Sequence, residues 1–273
     1  MSTPLDCTVI IKGGLGNKLF QIAMLMGLAK KNPHMNISID CSQFHFPTLH
    51  EKTDWRYFIR GLNPIFSKKP TTKVIQERYQ DCGRFVEYDL NNMESVIFDG
   101  YFQSDLYFKH IKSTIINQFG PPSDAITYLS EKYGDIYTKG LFVHMRRGDS
   151  VNHPLHDLKL FDNKYYHRGL EQFGDLASKT VYVCSDDINW CRQQPLFKDA
   201  VMVEENEIMT LWFMSLCRYG GIASNSTFSW WGLYLNLSPN RLAIFPDYMF
   251  NDKNLIISDF YPKDYVRIPV KIQ

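Results

Sequence analysis

Short apolar runs that end in glycine or polar turns, each followed by a helical pattern, narrow the folds open to this chain more than any other feature. Thr8-Val-Ile-Ile-Lys12 reads as a buried strand, and Gly13-Gly-Leu-Gly-Asn17 turns the chain. Leu19, Phe20, Ile22, Ala23, Leu25, Met26 and Leu28 then recur at helical spacing to about Lys31. Asn32-Pro33 stops that helix, and Ile37-Ser-Ile-Asp40 starts a second strand. The rhythm returns later, with strands expected at 95–100, 141–145, 180–184, 200–203, 219–223 and 242–245. Helical patterns at 165–173, 188–194 and 207–218 lie between the later strands, and Ser224-Asn-Ser-Thr-Phe-Ser229 opens another. Alternation of this kind predicts an α/β chain, a parallel sheet with helices on both faces.

A chain of 273 residues forms one large domain or two of ordinary size. Residues 41–95, broken by Asn63-Pro64 and Lys69-Pro70, read as a long excursion with short helices, and 133–139 reads as a linker. The expected division is therefore 1–135 and 136–273, with the C-terminal tail free to pack back on the first domain. Charged residues at 22% and hydrophobic ones at 44% describe an ordinary soluble protein, and a net charge of +1 gives no footprint for nucleic acid. Aromatics at 15% suit sugars or bases, although most aromatics fill core. The six cysteines contain no Cys-x-x-Cys, and Cys7 and Cys184 fall in expected strands, so reduced packed thiols are expected rather than disulfides or a metal site. No signal segment opens the chain, and no apolar run approaches the roughly 20 residues that span a bilayer. A cytoplasmic location is expected, and the sequons at Asn36, Asn225 and Asn236 then carry little meaning.

Three polar clusters follow expected strands, and parallel strands with right-handed crossovers place all three on one sheet edge. The first, His144-Met-Arg-Arg-Gly-Asp149, carries two adjacent guanidiniums suited to a diphosphate, with Asp149 available to hold one of them. A surface ion-pair cluster is the plainer alternative. In the second, Ser185-Asp-Asp187, Asp186 or Asp187 can accept from the N1–H and amine of a guanine, or simply cap the next helix. The third, 224–229, presents hydroxyls and backbone N–H groups at a helix N-terminus, a ready anion site. The chain contains no Asp-x-Asp, so arginine charge stands in for a bridged divalent ion and metal-free handling of a nucleotide diphosphate is favoured. The glycine turn is a poor dinucleotide fingerprint, since Leu19 fills the third glycine position, although Asp40 stands where an acid would grip a ribose. A P-loop fails at Asn17-Lys18-Leu19. A nucleotide-cofactor oxidoreductase and a non-catalytic sugar-binding module are the competing classes.

Gly13-Gly-Leu-Gly-Asn-Lys-Leu-Phe-Gln-Ile-Ala23, Gly100-Tyr-Phe-Gln-Ser104, His144-Met-Arg-Arg-Gly-Asp149, Ser185-Asp-Asp187 and Ser224-Asn-Ser-Thr-Phe-Ser-Trp-Trp-Gly232 together resemble the α-1,2-fucosyltransferase family. The resemblance covers most of the chain except about 42–93 and the C-terminal tail. It implies a GT-B architecture, two Rossmann-like domains facing across a cleft, with the C-terminal one holding GDP-fucose. It also implies inverting, metal-independent transfer of L-fucose from GDP-β-L-fucose to a sugar hydroxyl, O-2 of a galactose or a similar residue. Another linkage or acceptor is the nearest alternative. By the same resemblance, no cofactor is needed, and the partners are GDP-fucose and a glycan acceptor.

Carried over by resemblance, the catalytic set is Arg146, His144, Asp149 and Asn17. Arg146 would bind the β-phosphate, and His144 would contact phosphate or ribose. Arg147 would sit behind Arg146, paired with Asp149 or carbonyls. Ser185 and Asp186 would read guanine, and Ser226, Thr227 and Phe228 would supply hydroxyls and N–H groups to the diphosphate. Gly14, Gly16, Asn17, Gln103 and His156 would form the acceptor side. The general base stays open among Asp149, His153, His156 and Asp157, or is replaced by the departing phosphate itself. Lys18 stands where relatives often carry Gln, and the loop 150–163 matches no one version of the family, which bears on acceptor identity.

Overall fold

Alternation of buried apolar runs with amphipathic helices produces two parallel sheets, each inside its own compact unit. The computed structural model describes residues 5–42, 55–65, 73–91, 93 and 95–271. One unit comprises 1–119 and 254–262, the other 120–253 and 263–273.

The first unit contains β1 (Leu5–Ile10), α1 (Leu15–Lys31), β2 (Met35–Asp40), β3 (Pro64–Ile65), β4 (Lys73–Gln76), β5 (Ser95–Asp99) and α2 (Lys112–Phe119). Its sheet has the order β3-β2-β1-β5-β4, every pairing parallel. Leu19, Phe20, Ile22, Ala23 and Met24 of α1 are buried, matching the helical spacing read from sequence. The expected excursion contributes two short strands, β3 and β4, that its broken pattern hides; part of it, 43–54 and 66–72, lies outside the described residues. Each is short and set at a sheet edge, so neither carries the long apolar run that marks a central strand. Residues 254–262 join this unit through backbone bonds, among them Ile256 N–H to the Gln80 carbonyl at 2.7 Å.

The second unit contains α3 (Ser123–Lys132), α4 (Ile136–Lys139), β6 (Gly140–Met145), α5 (Tyr165–Glu171), β7 (Thr180–Ser185), α6 (Ile188–Arg192), β8 (Val201–Val203), α7 (Glu207–Leu216), β9 (Gly220–Ile222), α8 (Thr227–Tyr234), β10 (Leu242–Pro246) and β11 (Val266–Ile268). The order is β11-β10-β9-β6-β7-β8, again all parallel. The division falls at 119/120 rather than 135. The stretch read as a linker is helical at α4, where Ile136 is buried, while Tyr133 packs edge-on against Tyr182 and Phe213. β11 is a further strand that the polar stretch around it conceals.

Strand side chains alternate between faces. Leu141, Val143 and Met145 of β6 face a cluster with Tyr165, Tyr166, Leu170, Val183 and Cys191. Each such aliphatic side chain contributes roughly 1.5–3 kcal/mol when fully buried. His144 therefore points to the opposite face. Trp230 and Trp231 are fully buried and pack on each other and on Tyr234, so that pair is core rather than a ligand wall. All six cysteines are buried thiols. Among the described residues no helix is long and apolar enough to cross a membrane.

Candidate active site

β9, β6 and β7 lie side by side and parallel, so the three polar clusters that follow them emerge at one sheet edge. After β6 the chain tightens into a short 3₁₀ turn at Gly148–Ser150. That turn folds Asp149 back onto Arg146. Nε and Nη2 of Arg146 donate to Asp149 Oδ1 at 3.1 and 2.9 Å, and Nη2 also reaches Oδ2 at 2.9 Å.

The neighbouring arginine is held differently from the sequence expectation. Arg147 does not pair with Asp149; its Nε donates to Asp187 Oδ2 at 3.1 Å, and its guanidinium lies 3.6 Å from the centroid of the Trp190 ring. Its backbone N–H donates to Asp186 Oδ1 at 2.7 Å. The reason is local: Asp149 is three residues after Arg146 on the same turn, whereas Arg147 points toward the start of α6. There Asp187 Oδ1 accepts the Trp190 N–H at 3.2 Å, so Asp187 is the helix cap. A Cβ at Gly148 would stand 2.7 Å from Asp186 Oδ2, so the Asp186 carboxylate would have to shift to admit a side chain there.

Arg146 and Arg147 line a cavity of about 230 Å³ together with Ser150, His156, Lys159, Tyr166 and Trp190. Arg146 Nη1 and both terminal nitrogens of Arg147 donate no hydrogen bond among the described residues. The Ser150 hydroxyl is buried and has no partner among the described residues. Unspent donors of this kind around one cavity are an anion site in the making. Lys159 is already committed to Asp157 at 2.6 Å, and Asp157 also accepts the Asn152 N–H, so that acid is spent within its loop.

The remaining expected donor residues do not line this cavity. His144 is buried and shares a 3.0 Å hydrogen bond between Nδ1 and the Ser224 hydroxyl, with Phe228 at 5.5 Å between ring centroids. Ser226 caps α8: its hydroxyl accepts the Phe228 N–H at 3.2 Å, which spends both groups inside the helix turn. Thr227 opens the same helix. Ser185 accepts the Asp187 N–H at 3.0 Å, and Asp186 is exposed beside Arg147. Asn225 reaches the His156 carbonyl at 2.8 Å, tying the loop after β6 to the turn after β9. Asn251 N–H to the Leu155 carbonyl at 2.8 Å adds a second tie.

In the first unit Gly14 caps α1 and Gly16 lies buried in its first turn. Asn17 Oδ1 accepts from Gln103 Nε2 at 2.9 Å, which joins the turn after β1 to the turn after β5. Gln103 Oε1 is buried and has no partner among the described residues. Asp40, which stands in a ribose-gripping position, instead accepts the Ser42 N–H at 2.7 Å. The sequence reading missed Ser150, Trp190 and the Arg147–Asp187 pair. The last two follow from helix geometry, since a residue three positions past a cap lies over the cap.

Burial, and then the charge of Arg146, pushes the His144 ring down to about 3. Burial, Arg146 and His153 push His156 down to about 4. Both rings are neutral at neutral pH. A base whose folded value is depressed adds stability that is fully present above its unfolded value near 6.5 and is lost as pH falls toward the folded one. Melting temperature is therefore expected to fall as pH drops from about 6.5 toward 3, and less steeply in His144→Asn. Parallel pH slopes for both proteins in a calorimetric series would contradict the placement of His144.

Residues 5–266 match the model of Glycosyl transferase family 11, and the chain belongs to that family. An alpha-1,2-colitosyltransferase of Escherichia coli is 28% identical over 94% of this chain and 97% of its own length. A galactoside 2-alpha-L-fucosyltransferase of Caenorhabditis elegans is 26% identical over 96% of this chain and 78% of its own. Among solved structures, NodZ alpha-1,6-fucosyltransferase soaked with GDP-fucose superposes with a TM-score of 0.52 at 13% identity, covering 84% of this chain and 92% of the other. At that identity the likeness concerns the fold alone, an α/β architecture of GT-B type with a parallel sheet in each unit.

Proposed function

We propose that this chain transfers L-fucose from GDP-β-L-fucose to O-2 of a galactoside, inverting the anomeric centre to give an α-1,2 linkage. Family membership and relatives named for galactoside 2-fucosyl and 1,2-colitosyl transfer support the class of reaction. The observation that carries it is the pair of guanidiniums with unspent N–H donors on one cavity. As the bond from C1 to the diphosphate oxygen breaks, Arg146 meets the charge that develops on the leaving group. Preorganised charge of this kind is commonly the largest single catalytic contribution. A guanidinium takes the place of a divalent ion, so transfer proceeds without metal or other cofactor.

The acceptor oxygen forms the new bond to C1, and its proton has few strong bases to go to. Asp149 is engaged by Arg146, Asp157 by Lys159, and His156 is depressed to about 4. In-line attack places the acceptor on the face of C1 opposite the diphosphate, so the proton reaches the departing diphosphate by way of water. Asp186, Ser185 and the 226–228 turn serve the nucleotide, with His144 buttressing that turn through Ser224. Asn17 and Gln103, with Gly14 and Gly16 shaping their turn, serve the acceptor.

The test is a donor panel with lactose as acceptor, following nucleoside diphosphate release in excess EDTA. GDP-fucose should be consumed at an undiminished rate, and UDP-galactose should not. Faster turnover of GDP-colitose would move the donor to that sugar, and rescue of an EDTA-silenced enzyme by Mn²⁺ would overturn the metal-free reading.

A further inference from the structure

Glu77, just past the end of β4, lies in none of the sequence motifs. Its own N–H donates to the Asp99 carbonyl at 2.9 Å, so its backbone is fixed to the end of β5. Its carboxylate then reaches across that end. Oε2 accepts the Tyr101 N–H at 2.6 Å and Oε1 accepts the Phe102 N–H at 2.9 Å. Gly100 has no room for a side chain, because a Cβ there would stand 2.4 Å from the Cβ of Glu77.

The turn held this way is strained. Phe102 has φ +52°, a left-handed conformation that a bulky residue adopts only when its surroundings impose it. The ring is fully buried, edge-on to Phe98, Tyr88 and Tyr107, so packing secures one side of the turn and Glu77 the other. The next residue is Gln103, whose Nε2 donates to Asn17 Oδ1 at 2.9 Å.

We infer that Glu77 is a positioning residue: through the Tyr101 and Phe102 amides it sets Gln103, whose Nε2 in turn fixes Asn17 to take a hydroxyl of the acceptor sugar. The inference rests on the transferase reading above. Glu77 is half-buried, and desolvation pushes its carboxyl up to about 7 against the pull of the two N–H donors and of Lys12. The fold thus keeps a carboxyl where lost solvation disfavours its charge, which the two amides and Lys12 partly offset.

Glu77→Gln keeps the size but leaves a single acceptor oxygen, so one of the two amides meets an NH₂. Kinetics with GDP-fucose and lactose should show a rise in KM for lactose of about tenfold or more, with the Kd for GDP unchanged by calorimetry. Glu77→Asp, which retains both oxygens, should recover part of that loss. In a Gln103→Ala background the Glu77→Gln effect should largely vanish, since residues acting through one another are non-additive. A merely structural role would lower the melting temperature and leave the KM for lactose untouched in whatever folds, and that result overturns the inference. Independent, additive effects of the two substitutions would overturn it as well. Wild-type protein that does not consume GDP-fucose at all would instead overturn the transferase reading beneath it.

Discussion

Arg146→Lys is expected to lower kcat by about a hundredfold or more, in the range seen when one preorganised donor to a developing charge is removed. The substitution keeps a positive charge, so the expectation depends on geometry. In the native site Asp149 takes Nε and Nη2 of the guanidinium and leaves Nη1 for a ligand. An ammonium is a point charge without that planar fork, and it cannot be clamped by a carboxylate on one edge while presenting another edge to a diphosphate. Because the interaction strengthens as the bond to the diphosphate breaks, kcat should fall further than GDP affinity. Steady-state kinetics paired with GDP calorimetry separates the two. Equal losses in kcat and GDP affinity would mean that Arg146 only binds.

Arg147→Lys is expected to act on stability. The guanidinium lies 3.6 Å from the centroid of the Trp190 ring and bonds Asp187, and lysine reproduces neither the guanidinium–ring contact nor the fork. Asp187 is partly open to water, with 40% of its side chain exposed, so the ion pair itself contributes little. The ring contact is the larger part, and its loss should cost about 1–2 kcal/mol. For a domain of this size that is a fall in melting temperature of several degrees, on the order of 2–4 °C per kcal/mol. The Arg147→Lys protein that folds should retain most of its kcat. A cleanly folded and inactive Arg147→Lys would show the two arginine roles reversed.

Much of the fold was legible because its central strands are buried on both faces and read as unbroken apolar runs. The expected strand at 8–12 overlaps β1, which runs Leu5–Ile10, and 141–145 and 180–184 fall on β6 and β7, all three inside their sheets rather than at an edge. β3, β4 and β11 are short edge strands whose register comes from their neighbours rather than from their own pattern, and they were invisible. The units divide at 119/120 rather than 135, because the polar stretch 133–139 reads as a connector although Tyr133 and Ile136 are buried in the second unit.

In the site, motifs announced which turns matter and not what each side chain does within them. Asp149 and Asp187 exchange the arginines that simple adjacency would assign, and Ser226 spends its hydroxyl on its own helix. Glu77 had no local signature at all, because its partners lie 24 and 25 residues away.

The most direct test of the account combines the wild-type protein with GDP-fucose and lactose in excess EDTA, followed by product analysis by NMR. The account predicts GDP release that requires lactose, and a trisaccharide with fucose α-linked to O-2 of the galactose. Lactose-independent GDP release, or a β-linked fucose, would contradict it.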